Sequence, residues 1–449
     1  MKYIRFLLVF VIVLAGFGFY HHPANAGQFT YSSGISLQNL EDATANITIH
    51  YYLPNGTEDP NSPVLATIAP LGSVAYFPIH ADDGFSGSVV IESDVQIASI
   101  SNILGDGGAA AAAYDGSSEG SLEILLPLLM SHNSGYSTWF NVQNAGSVVA
   151  NVDVLYSDGT TAEATVQPGA AATFDQAVEA GHDLVFSAVV TSDQPIAATV
   201  IEEDPSVMFA YSGFIDTSTN PILPLINSYN VGYVTGINVQ NSGASDTEVT
   251  ISYTPSLAGT ACTETQTVLA GSSATFALYA FAGAPLPGMT TNCVAQARFI
   301  GSAKVTANDA GMPLTAVVNQ LKPGVNGEAY GGFNAATATG TVVLPLIMNA
   351  NSGYWTSISI TNVGLAETTV TCTYVPTALW PVPPVNSATL APNEGVSFLQ
   401  PVDFGAVKYV GSATCTTDPA GQIVSVVNEL GPSAVDDQLL VYEGFNTTP

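Results

Sequence analysis

The sequence has very few basic residues. Only 6 of its 449 residues are Lys or Arg, against 36 Asp or Glu, and charged residues make up 9% of the chain, where soluble domains average about 25%. Binding to the phosphates of nucleic acid or of an anionic membrane needs clustered Lys and Arg side chains. The composition therefore excludes a nucleic-acid-binding protein and favours the neutral-to-acidic surface of a secreted one.

Cysteine is also scarce, with only Cys262, Cys293, Cys372 and Cys415 present. An even number in an exported chain favours disulfides, and three pairings are open on paper. No C-x-x-C pair occurs and no histidine lies near any of the four in the sequence, so a zinc site is not indicated. The repeats described below place two cysteines in the third unit and two in the fourth, which favours the pairs Cys262–Cys293 and Cys372–Cys415.

The chain has one long apolar run, at its N-terminus. Lys2 and Arg5 precede "FLLVFVIVLAGFGFY" (Phe6–Tyr20), and the small-residue site "ANA" (Ala24–Ala26) follows. This order is typical of a secretory signal peptide, and the run is short for a membrane span, which needs about 20 apolar residues. We therefore expect cleavage before Gly27, a secreted or cell-surface-associated protein, and no membrane insertion after cleavage.

One phrase occurs three times in the chain. Its copies are "LPLLMSHNSGYSTWFNVQNAG" (Leu126–Gly146), "LPLINSYNVGYVTGINVQNSG" (Leu223–Gly243) and "LPLIMNANSGYWTSISITNVG" (Leu344–Gly364). Each is followed by a β-branched run, a turn leading to Phe, and a closing Tyr. An eroded fourth copy comes first, with "ISLQN" (Ile35–Asn39) in the place of "INVQN" and no "LPL" segment. The period of roughly 100 to 120 residues is the size of one β-sandwich domain.

The pattern predicts an all-β protein of four tandem immunoglobulin-like β-sandwich domains after a signal peptide. Val, Ile, Thr and Tyr alternate with small polar residues, and Gly, Pro, Asn and Asp interrupt them every eight to twelve residues. We expect about seven strands per unit and a separate interior in each. The predicted divisions are 1–26 (signal peptide), 27–118 (unit 1, eroded and lacking the first strand), 119–217 (unit 2), 218–335 (unit 3) and 336–449 (unit 4).

The repeated order I-x-V-x-N-x-G, V-x-V-x-Y and L-x-P-G-x-S-x-x-F resembles the tandem immunoglobulin-like, CARDB-like repeats of bacterial and archaeal secreted and cell-surface proteins. The resemblance spans essentially the whole mature chain. It implies a β-sandwich fold and a family setting of adhesins, S-layer-associated proteins and spacer domains of exoenzymes. Those families share no catalytic residues, so the resemblance implies none here.

The sequence contains no recognisable catalytic constellation. The mature histidines, His50, His80, His132 and His182, do not recur between units and sit in no hydrolase or metalloprotease motif. We expect them at the surface. Neighbouring carboxylates occur as well, and in so acidic a chain we expect them to be solvated; the pairs are Asp82/Asp83, Glu202/Glu203 and Asp436/Asp437. The chain is therefore predicted not to be an enzyme.

Calcium is the ion that so acidic a surface would suit, since it takes carboxylate and carbonyl oxygens from loops. "ADDG" (Ala81–Gly84) and "GDGG" (Gly105–Gly108) could contribute such oxygens. Neither segment is a D-x-D-x-D-G loop, and both have the form of ordinary Asp-Gly turns. No cofactor is therefore predicted, and calcium is left open as a weak alternative.

Aromatic residues recur in the repeated phrase and are the candidate binding residues. Two interpretations stay open: the rings line one face and stack on sugars or a partner, or they close one end of each sandwich core with a polar tip in water. The candidates are Tyr136, Trp139, Tyr233, Tyr354 and Trp355.

The preferred function is a secreted, non-enzymatic cell-surface, S-layer-like or filament protein; the alternative is a carbohydrate-binding or adhesion protein that uses the repeated Tyr/Trp loops. Its expected partners are other surface proteins, further copies of itself, or glycans. Unit 1 lacks the "LPL" strand, so an open sheet edge there could accept a strand from a neighbour.

Overall fold

Alternation of apolar and small polar residues produces strands almost throughout the computed structural model of this chain. In Ala45–Tyr52 and Ala150–Tyr156 every second side chain is buried, as in strands with one face on a core. The structure describes residues 27–277, 285–377, 380–417, 421–432 and 436–447, so the predicted signal peptide lies outside it. Its described helix, α1 (Gln400–Asp403), is one turn long. The predicted all-β class is confirmed.

Sandwich 1 takes its strands from residues 31–115. They are β1 (Tyr31–Asn39), β2 (Ala45–Tyr52), β3 (Val64–Ile68), β4 (Ser73–Tyr76), β5 (Ser88–Ser93), β6 (Ile97–Gly105) and β7 (Ala110–Asp115). One antiparallel sheet has the order β3-β2-β5 and the other β4-β1-β6-β7. The first sheet therefore has one strand fewer than the second.

Sandwich 2 takes its strands from residues 121–212. They are β8 (Ser121–Met130), β9 (Ser137–Asn144), β10 (Ala150–Tyr156), β11 (Thr161–Val166), β12 (Ala171–Asp175), β13 (Val185–Glu203) and β14 (Met208–Ser212). β13 is long enough to serve both layers. Its first half pairs with β10 and β8, and its second half pairs with β9 and β14.

Sandwich 3 takes its strands from residues 221–334. They are β15 (Pro221–Ser228), β16 (Val234–Asn241), β17 (Thr247–Ala258), β18 (Cys262–Val268), β19 (Ser273–Phe276), β20 (Thr290–Thr291), β21 (Phe299–Ala307), β22 (Leu314–Lys322), β23 (Asn326–Gly331) and β24 (Phe333–Asn334). The sheet orders are β20-β18-β17-β21-β15-β24 and β19-β16-β22-β23.

Sandwich 4 repeats that plan with residues 341–447. Its strands are β25 (Thr341–Asn349), β26 (Trp355–Asn362), β27 (Thr368–Pro376), β28 (Asn386–Leu390), β29 (Gly395–Leu399), β30 (Tyr409–Thr416), β31 (Ile423–Leu430), β32 (Leu439–Glu443) and β33 (Phe445–Thr447). The sheet orders are β28-β27-β30-β25-β33 and β29-β26-β31-β32.

The repeated closing Tyr is hydrogen-bonded to the repeated Leu-Pro-Leu segment of the same sandwich. Pro127 lacks an N–H, and the ladder between β8 and β13 shifts register beside it. The hydroxyl of Tyr211 donates to the carbonyl of Leu128 at 2.6 Å and lies 3.3 Å from the Leu128 nitrogen. Tyr330 and Tyr442 make the same contact in sandwiches 3 and 4. Folding therefore accounts for the recurrence of both motifs.

The four sandwiches close into a ring through one strand each. We call β7, β14, β23 and β32 the closing strands; they pair within their own sandwiches with β6, β13, β22 and β31. β7 contacts β14, β14 contacts β23, β23 contacts β32, and β32 contacts β7. Packing these strands against one another covers sheet edges that would otherwise be open to strand addition.

The hydrophobic interior is divided but not into four separate parts. Each sandwich has a main apolar cluster. The cluster of sandwich 2 also includes Val317 and Ala329 of sandwich 3, and that of sandwich 4 includes Ile100 of sandwich 1. A further cluster joins Ala111 and Ala113 to Leu440 across the interface between sandwiches 1 and 4. The expectation of separate interiors is therefore wrong at the interfaces.

The two disulfides form as the repeat boundaries suggested. Cys262 pairs with Cys293 across 31 residues of sequence, and Cys372 pairs with Cys415 across 43. The second pair bridges directly opposed residues of β27 and β30. Loops of this length remove about 3–4 kcal/mol of chain entropy from the unfolded state in the loop-closure model. Among the described residues, no helix is long and apolar enough to cross a membrane.

Candidate functional site

Glu328 lies at the centre of the ring and joins three sandwiches. It belongs to closing strand β23 and is fully buried. Its Oε2 accepts from the backbone N–H of Ala113 in β7 at 2.8 Å, and its Oε1 accepts from the N–H of Ala210 in β14 at 2.7 Å. Oε1 also accepts from the N–H of Ala329. One carboxyl group therefore accepts hydrogen bonds from backbone N–H groups of closing strands in three sandwiches.

Asp437, just before closing strand β32, has the same role from sandwich 4. Its Oδ2 accepts from the N–H of Met208 at 2.7 Å, and its Oδ1 accepts from the N–H of Gly327 at 3.0 Å. Its own N–H donates to the carbonyl of Ala109. Asp437 thus connects sandwiches 1, 2, 3 and 4 around the centre.

Two further buried glutamates hold alternate interfaces of the ring. Asn319 of sandwich 3 donates to Oε2 of Glu202 of sandwich 2 at 2.6 Å. Asn102 of sandwich 1 donates to Oε2 of Glu429 of sandwich 4 at 3.1 Å. The ladder register places Glu202 and Glu429 at one repeat position and the two asparagines at another. The interface between sandwiches 2 and 3 and the interface between sandwiches 4 and 1 therefore contain the same kind of Asn–Glu hydrogen bond.

Burial raises the pKa of this group of carboxyls. It raises the pKa of Glu202 and Glu429 to about 8, against opposing hydrogen bonds from the asparagines. It likewise raises the pKa of Asp437 to about 8 and the pKa of Glu328 well above its usual value. For Asp115, burial and then repulsion from the Glu443 carboxylate raise the pKa. The ring centre is therefore held largely in its protonated form at neutral pH.

The expectation that neighbouring carboxylates are solvated is wrong for three of them. Glu202, Glu203 and Asp437 are all buried, because each lies on or beside a strand that packs against another sandwich. Glu203 accepts from the N–H of Gln28 at 2.6 Å and from the hydroxyl of Tyr31 at 2.7 Å, which ties the start of sandwich 1 to sandwich 2. Asp82 keeps an exposed position and accepts from the amide of Asn61.

His182 is buried rather than at the surface, because two carboxylates hold it. Its Nδ1 lies 2.9 Å from Oδ2 of Asp158 and its Nε2 lies 3.1 Å from Oε2 of Glu179. Its ring stacks on Phe186 with centroids 4.5 Å apart. This clamp joins the β10–β11 turn to the loop before β13, and in sandwich 3 the Cys262–Cys293 disulfide joins the equivalent segments.

Replacing His182 with Ala should destabilise the protein by roughly 3 kcal/mol, because it removes the one side chain that bridges the largely buried carboxylates of Asp158 and Glu179 and leaves these like charges close together. His50→Ala is the matched control. The His50 side chain is 17% exposed and its partner Glu58 is 37% exposed, so its loss should cost about 1 kcal/mol or less. Urea unfolding of both variants measures the difference, and equal losses would contradict the clamp.

The candidate aromatic residues do not form one exposed face. Tyr136 is half-buried and packs edge-on against Phe209 of closing strand β14, with centroids 5.8 Å apart. Trp139 packs edge-on against Tyr31 of sandwich 1 at 5.8 Å. The remaining three, Tyr233, Tyr354 and Trp355, are half-buried as well, and the two tyrosines pack against apolar clusters. This packing favours the folding interpretation of the rings.

The two Asp-Gly segments are local turns. Asp106 has a positive φ of 47° and accepts from the N–H of Thr30 at 2.9 Å. In the other segment, the N–H of Phe85 donates to the carbonyl of Asp82. Within the described ranges, no group of three or more His, Cys, Asp or Glu side chains is placed to hold a metal ion.

A groove of about 2730 Å³ lies between sandwiches 1 and 2. Val89, Ile91 and Ile97 line one wall, and Gln143 and Ala197 line the other. The amide of Gln143 donates to the carbonyl of Val89 at 3.2 Å, so the two walls are in direct contact along part of their length. Small-molecule pockets measure roughly 300–1,000 Å³, so this groove has the size for a polypeptide segment.

Comparison with known proteins gives little further information. No protein-family model and no curated protein matches the sequence. A crystal structure of a tetra-tandem repeat in the extending region of a large adhesion protein aligns with 94% of this chain and 96% of its own, at 13% identity and a TM-score of 0.10. A TM-score this low carries no structural argument. The resemblance to CARDB-like repeats therefore stays a prediction.

Proposed function

We propose that the chain is a secreted, non-enzymatic structural or adhesion protein of the cell surface, built from four immunoglobulin-like sandwiches that act as one rigid body. The observation that carries the proposal is the closed ring of closing strands around Glu328 and Asp437. A ring whose centre is fully buried resists bending between its parts, which suits a support or an attachment platform.

Three properties of the chain support this role. The two disulfides suit an oxidising compartment outside the cytoplasm. The low content of Lys and Arg leaves few cleavage sites for trypsin-like proteases. Carboxyls that are buried in protonated form keep the ring together in acidic surroundings, where salt bridges formed by ionised carboxylates weaken.

Fractionation of the source cells tests the proposal. We expect the protein in the medium or on the cell surface, with both disulfides oxidised and an N-terminus at Gly27. Antibody labelling of intact cells separates the surface-bound form from the free form. A protein found only in the cytoplasm with reduced cysteines would overturn the proposal.

A further inference from the structure

We propose that the groove between sandwiches 1 and 2 is the docking site for one extended β-strand of the Leu-Pro-Leu type, supplied by a partner protein. The inference deepens the proposed structural role, because it names the kind of partner that such a platform attaches. The docking proposal depends on the proposed function in one respect, which is that the chain is exported and begins at Gly27.

The groove lies where the other sandwiches have a strand. β8, β15 and β25 contain the Leu-Pro-Leu segments, and they pair with β13, β21 and β30. The corresponding strand of sandwich 1 is β5, which pairs with β2 on one side. In the part of the chain that the structure describes, no strand pairs with the other side of β5.

The ladder register identifies the position that an incoming leucine would face. In sandwich 3, Leu223 faces Ala303, which on its other side faces Tyr253. The same three positions recur in sandwiches 2 and 4, as Leu126/Ala188/Tyr156 and Leu344/Ala413/Tyr374. In sandwich 1, Val89 faces Tyr51. A docked strand should therefore place its first leucine opposite Val89.

Burial shows the same difference between the sandwiches. Ile91 is half-buried, whereas its counterparts Val190, Val305 and Cys415 are each fully buried beneath the first strand of their sandwich. Val89 is likewise half-buried, and Ala188, its counterpart in sandwich 2, is buried. Apolar side chains that a strand covers in three sandwiches are thus left partly open in the first, and covering them would be favourable.

The opposite wall of the groove corresponds to the surfaces on which the first strands of the other sandwiches pack. β8 packs on β16 and β22 of the next sandwich, β15 packs on β26 and β31, and β25 packs on β1 and β6. The equivalent surface for sandwich 1 is that of β9 and β13, which lines the groove. Gln143 donates to the carbonyl of Val89, as Gln240 donates to the carbonyl of Ala188 one interface further on. The 1/2 interface therefore has the geometry of its neighbours.

The chain itself is a poor source of the strand. Gly27 has a φ of +92°, and the equivalent turn residues His132, Tyr229 and Ala350 also have positive φ, so residues before Gly27 occupy the sequence position of a first strand. Those residues, "FYHHPANA" (Phe19–Ala26), have two histidines and no Leu-Pro-Leu. In a second copy of the chain, the Leu-Pro-Leu strands are buried in their own sandwiches. A different protein is therefore the occupant that fits.

Peptide binding to the secreted, purified protein tests the proposal. The probe is a fluorescent peptide with the sequence of Pro221–Ser228, PILPLINS, followed by anisotropy titration. The control peptide is PIDPLINS, with Asp in place of the buried leucine. We expect micromolar binding of the probe, at least tenfold weaker binding of the control, and a rise of several degrees in the Tm of the saturated protein.

Two protein variants localise the binding. Val89→Arg places a charge at the edge of the groove and should weaken probe binding at least tenfold; because Val89 also packs against the apolar cluster of sandwich 1, the variant is compared with the parent by circular dichroism first. Leu65→Arg is the matched control, because Leu65 is 76% exposed on β3, at the opposite edge of the same sheet, and it should bind as the parent does. A chain with PILPLINS fused before Gly27 should melt higher and no longer bind the probe.

Four results would overturn the proposal. They are no binding of the probe at millimolar concentration, binding that Val89→Arg leaves unchanged, a secreted N-terminus upstream of Gly27 without probe binding, and a dimer that the probe dissociates. The third would assign the groove to the chain's own leader, and the fourth to a second copy. A secreted, surface-located protein that fails these tests leaves the structural role standing.

Discussion

The free energy of unfolding should fall as the pH rises from about 4.5 to about 8. Glu202, Glu429 and Asp437 each have a folded-state pKa of about 8, against ordinary values of 4.5 for Glu and 3.8 for Asp. The folded state therefore binds more protons than the unfolded chain across this range. By linkage, the stabilisation that these three protonated carboxyls contribute is fully present below about pH 4 and is lost as the pH rises through 8.

Each such group contributes a slope of up to about 1.4 kcal/mol per pH unit, and the three slopes have the same sign over this range. The titratable neighbours of these three carboxyls, which are tyrosines and one further buried carboxyl, do not offset the loss of stability with rising pH. Glu202 lies near Tyr211 and Tyr136, Glu429 lies near Tyr442 and Tyr354, and Asp437 lies near Glu328, Tyr136 and Tyr233.

Urea unfolding at half-unit steps from pH 4 to 9 measures the slope. The double variant Glu202→Gln, Glu429→Gln keeps side-chain oxygens for Asn319 and Asn102 but no longer titrates, so its profile should be clearly flatter. A parent protein whose stability rises between pH 5 and 8 would show that these carboxyls are ionised in the folded ring.

Replacing Glu328 with Ala should cause the largest loss of stability of any single acidic residue. The variant leaves the buried N–H groups of Ala113 and Ala210 without an acceptor, at about 1–3 kcal/mol each. Glu328→Gln should lie between the parent and the alanine variant, because its one oxygen can still accept from Ala210 while its amide faces the Ala113 N–H.

Glu163→Ala is the matched control for this prediction, since Glu163 is exposed on β11. Thermal unfolding should show a loss of several degrees for Glu328→Ala and almost none for the control. Because the orphaned groups belong to β7 and β14, hydrogen exchange at Ala113 and Ala210 should accelerate as well. Equal melting temperatures for the two variants would mean that Glu328 does not hold the ring.

The strands and the disulfides could be predicted from the sequence because both depend on local or repeated patterns. Alternation in Ala150–Tyr156 specifies a strand with one buried face, and the repeat order assigned the cysteines to their units. The closing Tyr was recognised as a motif, and the structure adds its reason, which is the contact from Tyr211 to Leu128. The division of the chain at 118, 217 and 335 stays a prediction.

The buried carboxyls could not be predicted in the same way, because their burial depends on which strand edges meet across sandwiches. Glu202 and Glu203 look in the sequence like any acidic pair. Two signals were present: Glu202 and Glu429 recur at one repeat position, and Glu328 directly precedes a closing Tyr motif in an apolar setting. His182 was missed because its partners, Asp158 and Glu179, come from two loops that only the fold brings together.

Small-angle X-ray scattering of the secreted protein tests the closed ring most directly. A compact chain of this length has a radius of gyration of roughly 22–26 Å, whereas four sandwiches strung in a line give about 40 Å. We predict the compact value at pH 5, with little change on dilution. A value near 40 Å in the monomer would contradict the ring and the central contacts of Glu328 and Asp437.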